Sequence, residues 1–197
     1  MPKEKSFQVD AALEAALAVF WAKGYQQTTI ADLLAATGIQ RQSLYNAFGD
    51  KRGMFVRALL KYEGDYRRAT FSDLEAMGDP PKAVRALFDS AVASCDPDNG
   101  PLGCLLVNTA IELPLHAPEV QTIVRAGIDE MRVALERILA HGQVRGDFPT
   151  GLDATKTAGA LQASLFGIRT LARGGAEKAV LRSMAESSLA ALALAAG

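Results

Sequence analysis

Apolar residues recur along this chain with the spacing of an α-helix in almost every segment between turn residues. Leu13, Leu17 and Phe20 form one stripe of a helix over about 10–23. Residues 1–7 precede that helix and are expected to form a loose arm. Further stripes predict helices over about 51–77, 81–95, 102–113, 117–143, 153–173 and 176–195. The pattern therefore predicts an all-α fold.

Residues 28–48 are predicted to form two short helices joined by a tight turn. Thr29 can cap the first helix, and Asp32 three residues later gives an imperfect capping box. Gly38 follows where a left-handed residue would end that helix. The apolar side chains that share the buried faces of the two helices are Ile30, Leu33, Leu34, Leu44 and Phe48.

The second of these helices carries a polar or amphipathic outer face, formed by Arg41, Gln42, Ser43, Tyr45 and Asn46. Guanidinium, amide and hydroxyl groups are the groups that read base edges in the major groove. An apolar back with such a front is typical of the recognition helix of a helix-turn-helix. The alternative is an ordinary helix hairpin whose polar face is merely solvated.

Two flanking motifs favour the DNA-binding interpretation. Gly24-Tyr25-x-x-Thr28-Thr29-Ile30 precedes the hairpin, and Leu44-Tyr45-x-x-Phe48-x-x-Lys51 closes it. Together they resemble the TetR/AcrR family of bacterial transcriptional regulators, and the resemblance covers about the first 55 residues. One departure is Gln40, which stands where family members often have Ser or Thr as the N-cap of the recognition helix. Gln is a weaker cap.

The resemblance implies a three-helix DNA-binding head over 1–50 and a helical effector-binding and dimerisation domain over 51–197. It also implies a dimer built on the last two long helices, which are rich in small residues here. Thr28, Tyr45 and Lys51 are then expected to contact DNA phosphates. The position of Lys51 fits, because it follows the predicted N-cap Asp50, and a helix N-terminus with a lysine binds phosphate.

Composition and charge agree with a compact folded protein. The chain has 197 residues, is 49% hydrophobic and carries a formal net charge of -1. Residues 1–68 hold ten Lys/Arg against seven Asp/Glu, so DNA contacts are expected from a few placed cations. Two cysteines, no signal peptide and no apolar run long enough to span a membrane predict a cytoplasmic protein.

The mostly apolar region 81–140 is the expected site for a small effector. The predicted lining residues are Phe88, Val92, Cys104, Leu105, Asn108, Ile111 and Met131. Cys104 has two interpretations. If its helix starts at Leu102 or Gly103, the helix N-terminus lowers the pKa of a thiol, and some family members sense oxidants or electrophiles through cysteine. The alternative is a small buried core residue, which is the commoner role of free Cys.

No catalytic arrangement and no cofactor motif is recognisable, so no enzyme activity is expected. A metal site from Cys104, Glu112 and His116 is a weaker alternative to structural roles for those residues. The predicted function is a homodimeric, ligand-responsive transcriptional regulator. It would be a repressor released from a palindromic double-stranded operator by a small molecule. The competing prediction is a small helical ligand-binding or adaptor protein that does not bind DNA.

Overall fold

The computed structural model describes residues 2–93, 102–112 and 118–194, and every regular element in those ranges is helical. In chain order the elements are α1 (Pro2–Lys23), α2 (Ile30–Thr37), α3 (Arg41–Phe48), α4 (Lys51–Lys61), a π-helical segment (Tyr62–Arg68), α5 (Ala69–Ala76), α6 (Pro80–Ala93), α7 (Leu105–Glu112), α8 (Pro118–Arg145), α9 (Ala154–Arg173) and α10 (Lys178–Leu194). The predicted all-α fold with a helix-turn-helix near its N-terminus is confirmed.

The local capping signals define the ends of α2, α3 and α4. Thr29 and Asp32 form a complete capping box, since each side chain accepts a hydrogen bond from the backbone N–H of the other. Gly38 ends α2 in the left-handed conformation, at φ 67°. Asp50 caps α4 by accepting from the Gly53 N–H at 2.7 Å. Gln40 is the N-cap of α3 but makes no side-chain capping bond, which agrees with glutamine being a weak cap.

Three element boundaries differ from the sequence-based expectation. α1 extends back to Pro2, so the backbone of residues 2–7 is helical rather than a loose arm. The helix expected over 51–77 is interrupted by the π-helical segment. α7 begins at Leu105, which places Cys104 just before the helix rather than in its first turn.

The buried apolar side chains form two clusters. One joins the head helices α1–α3 to α4, to residues 104–106 around the start of α7 and to the first turns of α8. The other joins α5 and α6 to the second half of α8, α9 and α10. The head therefore packs directly on α7 and α8, and a shift of α7 would be transmitted to the core of the head.

Candidate nucleic-acid interface

The polar face of the α2–α3 hairpin is backed by a packed core and held by a capping box. Leu33 and Leu44 are fully buried beneath it. Asp32 also pairs with Lys23 at 2.6 Å, and this hydrogen bond, with the bonds from Thr29, lowers the pKa of Asp32 to about 2. The carboxylate therefore stays ionised and keeps the capping box intact at neutral and mildly acidic pH.

The five predicted DNA-facing side chains of α3 all point into solvent: Arg41, Gln42, Ser43, Tyr45 and Asn46 are exposed. Gln42 Nε2 donates to Asn46 Oδ1 at 3.0 Å, one helical turn away. This bond links the two amides, and the remaining Asn46 Nδ2 and Gln42 Oε1 of these exposed residues can act as a donor and an acceptor. Such a pair matches the hydrogen-bonding edge of an adenine.

Lys51 lies beside α3 and is held by the turn between α1 and α2. Its Nζ donates to the Thr28 carbonyl oxygen at 2.7 Å and lies 4.3 Å from the centroid of the Tyr25 ring. Both contacts fix a side chain that would otherwise sample many rotamers. An ammonium donates up to three hydrogen bonds, so donors remain available for a phosphate.

The side chain of Thr28 is not exposed, as a contact to a DNA phosphate would require. Its side chain is buried, and its hydroxyl donates to the Gly24 carbonyl oxygen at 2.6 Å. The hydroxyl is therefore not presented to a phosphate. The backbone carbonyl oxygen of Thr28 instead accepts the hydrogen bond from Lys51 Nζ. The Tyr25 ring is the second support of Lys51, and the sequence did not reveal this role.

Among the residues that the structure describes, the seven predicted effector-binding side chains do not share one cluster. Phe88, Val92 and Met131 belong to the core cluster of α6, α8 and α9, whereas Cys104 and Leu105 belong to the cluster of the head. Ile111 is 69% exposed. Asn108 donates to the Leu102 carbonyl oxygen at 2.9 Å and thereby finds a partner within its own segment.

A cavity of about 460 Å³ lies elsewhere, between the π-helical segment, α5 and α8. Phe71, Val133 and Ala134 form its apolar part. Three arginines and three acids form its charged part: Arg67, Arg68, Arg137, Glu75, Asp129 and Glu130. Two pairs of them are joined as ion pairs, Arg68 with Glu130 and Arg137 with Glu75, so the lining is close to neutral.

Cys104 is a buried thiol, only 3% exposed. The Tyr62 hydroxyl donates to its Sγ at 3.9 Å. Burial, followed by the neighbouring Cys104, raises the pKa of Tyr62, so this residue remains a neutral phenol and a donor at physiological pH. The surroundings are those of a packed core residue rather than of an accessible reactive thiol.

The weaker metal hypothesis finds no support in the part of the chain that the structure describes. No group of three or more His, Cys, Asp or Glu side chains lies close enough there to hold an ion. Glu112 is bound to backbone N–H groups of the head, and His116 lies outside the described residues. Within the same ranges no helix is both long and apolar enough to cross a membrane.

A capped helix-turn-helix whose exposed polar helix is flanked by an ordered lysine defines a DNA-binding regulator, and comparison with known proteins agrees. Residues 12–58 match the model for bacterial regulatory proteins of the tetR family, and residues 80–187 match the tetracyclin repressor-like C-terminal domain. The chain belongs to the TetR family. It is a transcriptional regulator that binds double-stranded operator DNA, and it is not an enzyme.

Relatives span most of the chain. The HTH-type transcriptional repressor ComR of Escherichia coli K12 is 29% identical over 95% of this chain and 90% of its own. The uncharacterised HTH-type regulator YezE of Bacillus subtilis 168 is 35% identical over 74% of this chain and 73% of its own. A cysteine-substituted form of the TetR-family regulator CifR, solved with 26-bp operator DNA, is 30% identical with a TM-score of 0.83. That match covers 93% of this chain and 95% of the CifR chain.

Proposed function

We propose that this regulator is a homodimeric repressor that a small molecule releases from a palindromic operator. The observation that carries the DNA-binding part is the exposed polar face of α3 beside the ordered Lys51. In this proposal residues 1–50 form the head, and residues 51–197 bind the effector and the second protomer. The relatives ComR and CifR support it, since one is named a repressor and the other was solved with operator DNA.

The dimer proposal rests on the outer faces of α9 and α10. Small residues occupy exposed or half-exposed positions along both helices: Gly159, Ala160, Ala163, Gly167, Ser183, Ser187 and Ala191. Leu171 and Val180 are 44% and 50% exposed beside them. Small residues allow two helix pairs to approach closely, and the exposed leucine and valine would be buried by a second copy.

Two heads joined in this way bind two half-sites only when their recognition helices are about one DNA turn apart. An effector that binds more tightly to a dimer with another spacing shifts the population away from the DNA-binding form. Arg41, Gln42, Ser43 and Asn46 are assigned to the major groove. Tyr45 and Lys51 are assigned to the flanking phosphates, with Thr28 supporting Lys51 from its backbone.

Lys51→Ala is expected to weaken binding to all DNA sequences alike and to reduce the salt slope by about one, because one phosphate contact is lost. Arg41→Ala is expected to cost about 1–3 kcal/mol on the operator and to relax the preference at one base pair. Fluorescence anisotropy with operator and scrambled duplexes over a range of salt concentrations measures both effects.

Lys156→Ala is the matched control for Lys51→Ala. Lys156 also lies in the first turn of a helix capped by an aspartate, Asp153, but on the exposed start of α9. We expect this variant to bind the operator like the parent protein. If Arg41→Ala and Lys51→Ala also bind like the parent, the assignment of the DNA-facing surface is wrong.

The cavity between α5 and α8 is the proposed effector site. Its volume of about 460 Å³ lies within the range of small-molecule pockets. Its balanced charges and apolar part favour an uncharged or zwitterionic amphipathic molecule. The π-helical segment on one wall continues directly into α4 and thus toward the head, and such segments often lie at functional sites.

Val133→Trp is expected to fill this cavity and to prevent binding of N-phenyl-1-naphthylamine, a neutral dye that fluoresces when desolvated. Val133 is 37% exposed and lines the cavity, so a larger side chain can enter it without disturbing the core. Val144→Trp, at an 87% exposed position near the end of α8, is the control and should leave dye binding unchanged. Equal dye binding by Val133→Trp and the parent would contradict the location of the site.

Cys104 is expected to resist iodoacetamide at pH 8 in the native protein and to react once the chain is denatured, because its thiol is buried. Peptide mapping by mass spectrometry gives the extent of modification at this residue. Rapid modification in the native state, accompanied by loss of operator binding, would instead favour a thiol sensor. Cys104→Ser should then bind DNA and no longer respond to the reagent.

A further inference from the structure

The last residue of α7, Glu112, reaches across to the head. Its Oε2 accepts a hydrogen bond from the Tyr25 N–H at 2.8 Å, and its Oε1 accepts one from the Gln26 N–H at 2.5 Å. A carboxylate bound by two consecutive backbone donors is a specific and charge-assisted arrangement. It joins Glu112 to two residues that lie 87 and 86 positions earlier in the sequence.

The turn between α1 and α2 is shaped to receive this carboxylate. Gly24 has φ +81°, which favours glycine, and a Cβ at this position would lie 2.8 Å from Glu112 Oε2. The carboxylate and the turn therefore fit each other only because residue 24 has no side chain. The structure accounts in this way for a glycine and an acid far apart in the sequence.

The same turn supports Lys51 from its other side. The Tyr25 ring lies under Lys51 Nζ, and the Thr28 carbonyl oxygen accepts its hydrogen bond. The Thr28 hydroxyl in turn donates to the Gly24 carbonyl oxygen, which closes the turn on itself. Displacement of Tyr25 would therefore move the support of Lys51.

We infer that Glu112 is a positioning residue for DNA binding, which fixes the turn of residues 24–28 and through it the phosphate-binding lysine. Glu112 does not itself touch DNA in this account. The inference rests on the assignment of Lys51 to a phosphate. It also makes α7 a route of regulation, because a movement of α7 that withdraws Glu112 would loosen the lysine without altering α3.

Further hydrogen bonds near the start of α7 hold the end of α1 independently of Glu112. Trp21 Nε1 donates to the Gly103 carbonyl oxygen at 3.2 Å. The Arg173 guanidinium donates to the carbonyl oxygens of Trp21, Ala22 and Leu102 at 2.9–3.2 Å. These bonds keep the end of α1 attached to the rest of the protein when Glu112 is changed, so the head stays docked while its turn is released.

The test is a double-mutant cycle between Glu112→Gln and Lys51→Ala in the full chain, with operator affinity measured over a range of salt concentrations. Glutamine has the same shape but offers only one acceptor oxygen, so one of the two N–H groups faces an amide donor. We expect Glu112→Gln to bind the operator about tenfold more weakly, as loss of a charge-assisted bond predicts. We also expect its salt slope to fall by about one. In the Lys51→Ala background Glu112→Gln should have little further effect.

A purely structural role gives a different result. Glu112→Gln would then lower the melting temperature but leave the salt slope unchanged, and its effect would add to that of Lys51→Ala, which would overturn the inference. Glu186→Gln, which removes an exposed carboxylate paired with Arg85, is the control and should leave affinity and slope unaltered. If Lys51→Ala alone has no effect on binding, the assignment of Lys51 to a DNA phosphate is wrong. This outcome is distinct from failure of the Glu112 inference.

Hydrogen exchange provides a test in the unmodified protein should Glu112→Gln fail to fold. The amides of Tyr25 and Gln26 are expected to exchange slowly although they lie in a surface turn. Glu112→Asp, whose side chain is one methylene shorter, should release at least one of them. Rapid exchange of both amides in the unmodified protein would overturn the inference.

Discussion

A chain carrying Gly167→Arg is expected to be a folded monomer that has lost most of its operator affinity. Gly167 lies on the outer face of α9, where an added Cβ would meet only Met184 Cε, at 3.9 Å. The protomer can therefore accept an arginine at this position, whereas a closely packed helix pair from a second protomer cannot. Two arginines brought together in a dry interface would also leave charges unpaired.

The loss of DNA binding follows from the loss of the second head. Linking two binding modules raises the overall affinity by about 10²–10⁴-fold, and a monomer forfeits that gain. Light scattering gives the mass and circular dichroism confirms the helical fold. Gly151→Arg, in the open connection before α9, is the control and should remain dimeric. A dimeric Gly167→Arg variant, or a monomeric parent protein at micromolar concentration, would contradict the proposed interface.

Arg67→Met is expected to destabilise the protein by about 3–5 kcal/mol, because it leaves a buried carboxylate without its partner. Arg67 Nη1 bonds Glu63 Oε2 at 2.5 Å, and its Nη2 donates to the Gly127 carbonyl oxygen at 2.6 Å. Both side chains of the pair are more than nine-tenths buried, and Glu63 Oε1 has no hydrogen-bond partner among the described residues. Gly127 allows α8 to approach this pair, since a Cβ there would lie 2.5 Å from Glu63 Oε2.

Arg68→Met is the matched control, because Arg68 is the next residue and its ion pair with Glu130 is exposed. We expect that change to cost less than about 1 kcal/mol. Thermal melting at one protein concentration should show a fall of about 10 °C for Arg67→Met. Adding Glu63→Leu to Arg67→Met should restore much of the loss, since the unpaired charge is then removed. Equal melting of Arg67→Met and Arg68→Met would contradict the account of the buried pair.

The helix-turn-helix could be predicted from the sequence because its signals are local. The capping pair Thr29 and Asp32, the left-handed Gly38 and the N-cap Asp50 each act within a few residues of their own position. The alternation of buried and exposed residues on α3 follows directly from helical spacing. Such features need no knowledge of the rest of the chain.

The proposed effector site could not be predicted in the same way, because it depends on which helix faces meet. Phe88 and Leu105 both lie on apolar faces, yet they pack into separate core clusters. The Glu63–Arg67 pair has the spacing of an ordinary exposed ion pair, and only packing against α8 buries it. The π-helical segment has no distinct apolar period, so the sequence predicted one continuous helix there.

The contact of Glu112 with the head could not be predicted from neighbouring residues, because it also depends on how distant helices pack. An acid at the end of a short apolar helix suggested a surface or metal-binding role, and its two donors belong to a turn near the start of the chain. The buried hydroxyl of Thr28 is a similar case, because the motif could not show that this hydroxyl bonds the Gly24 carbonyl oxygen while the Thr28 carbonyl oxygen holds Lys51.

Selection of bound fragments from source DNA tests whether the protein is a dimer whose two heads read two half-sites. We expect an enriched inverted repeat whose half-sites are centred about 10 bp apart or a multiple of this. We also expect Arg41→Ala to relax the same position in both half-sites. Enrichment of a single asymmetric half-site, or of no sequence at all at physiological salt, would contradict this expectation.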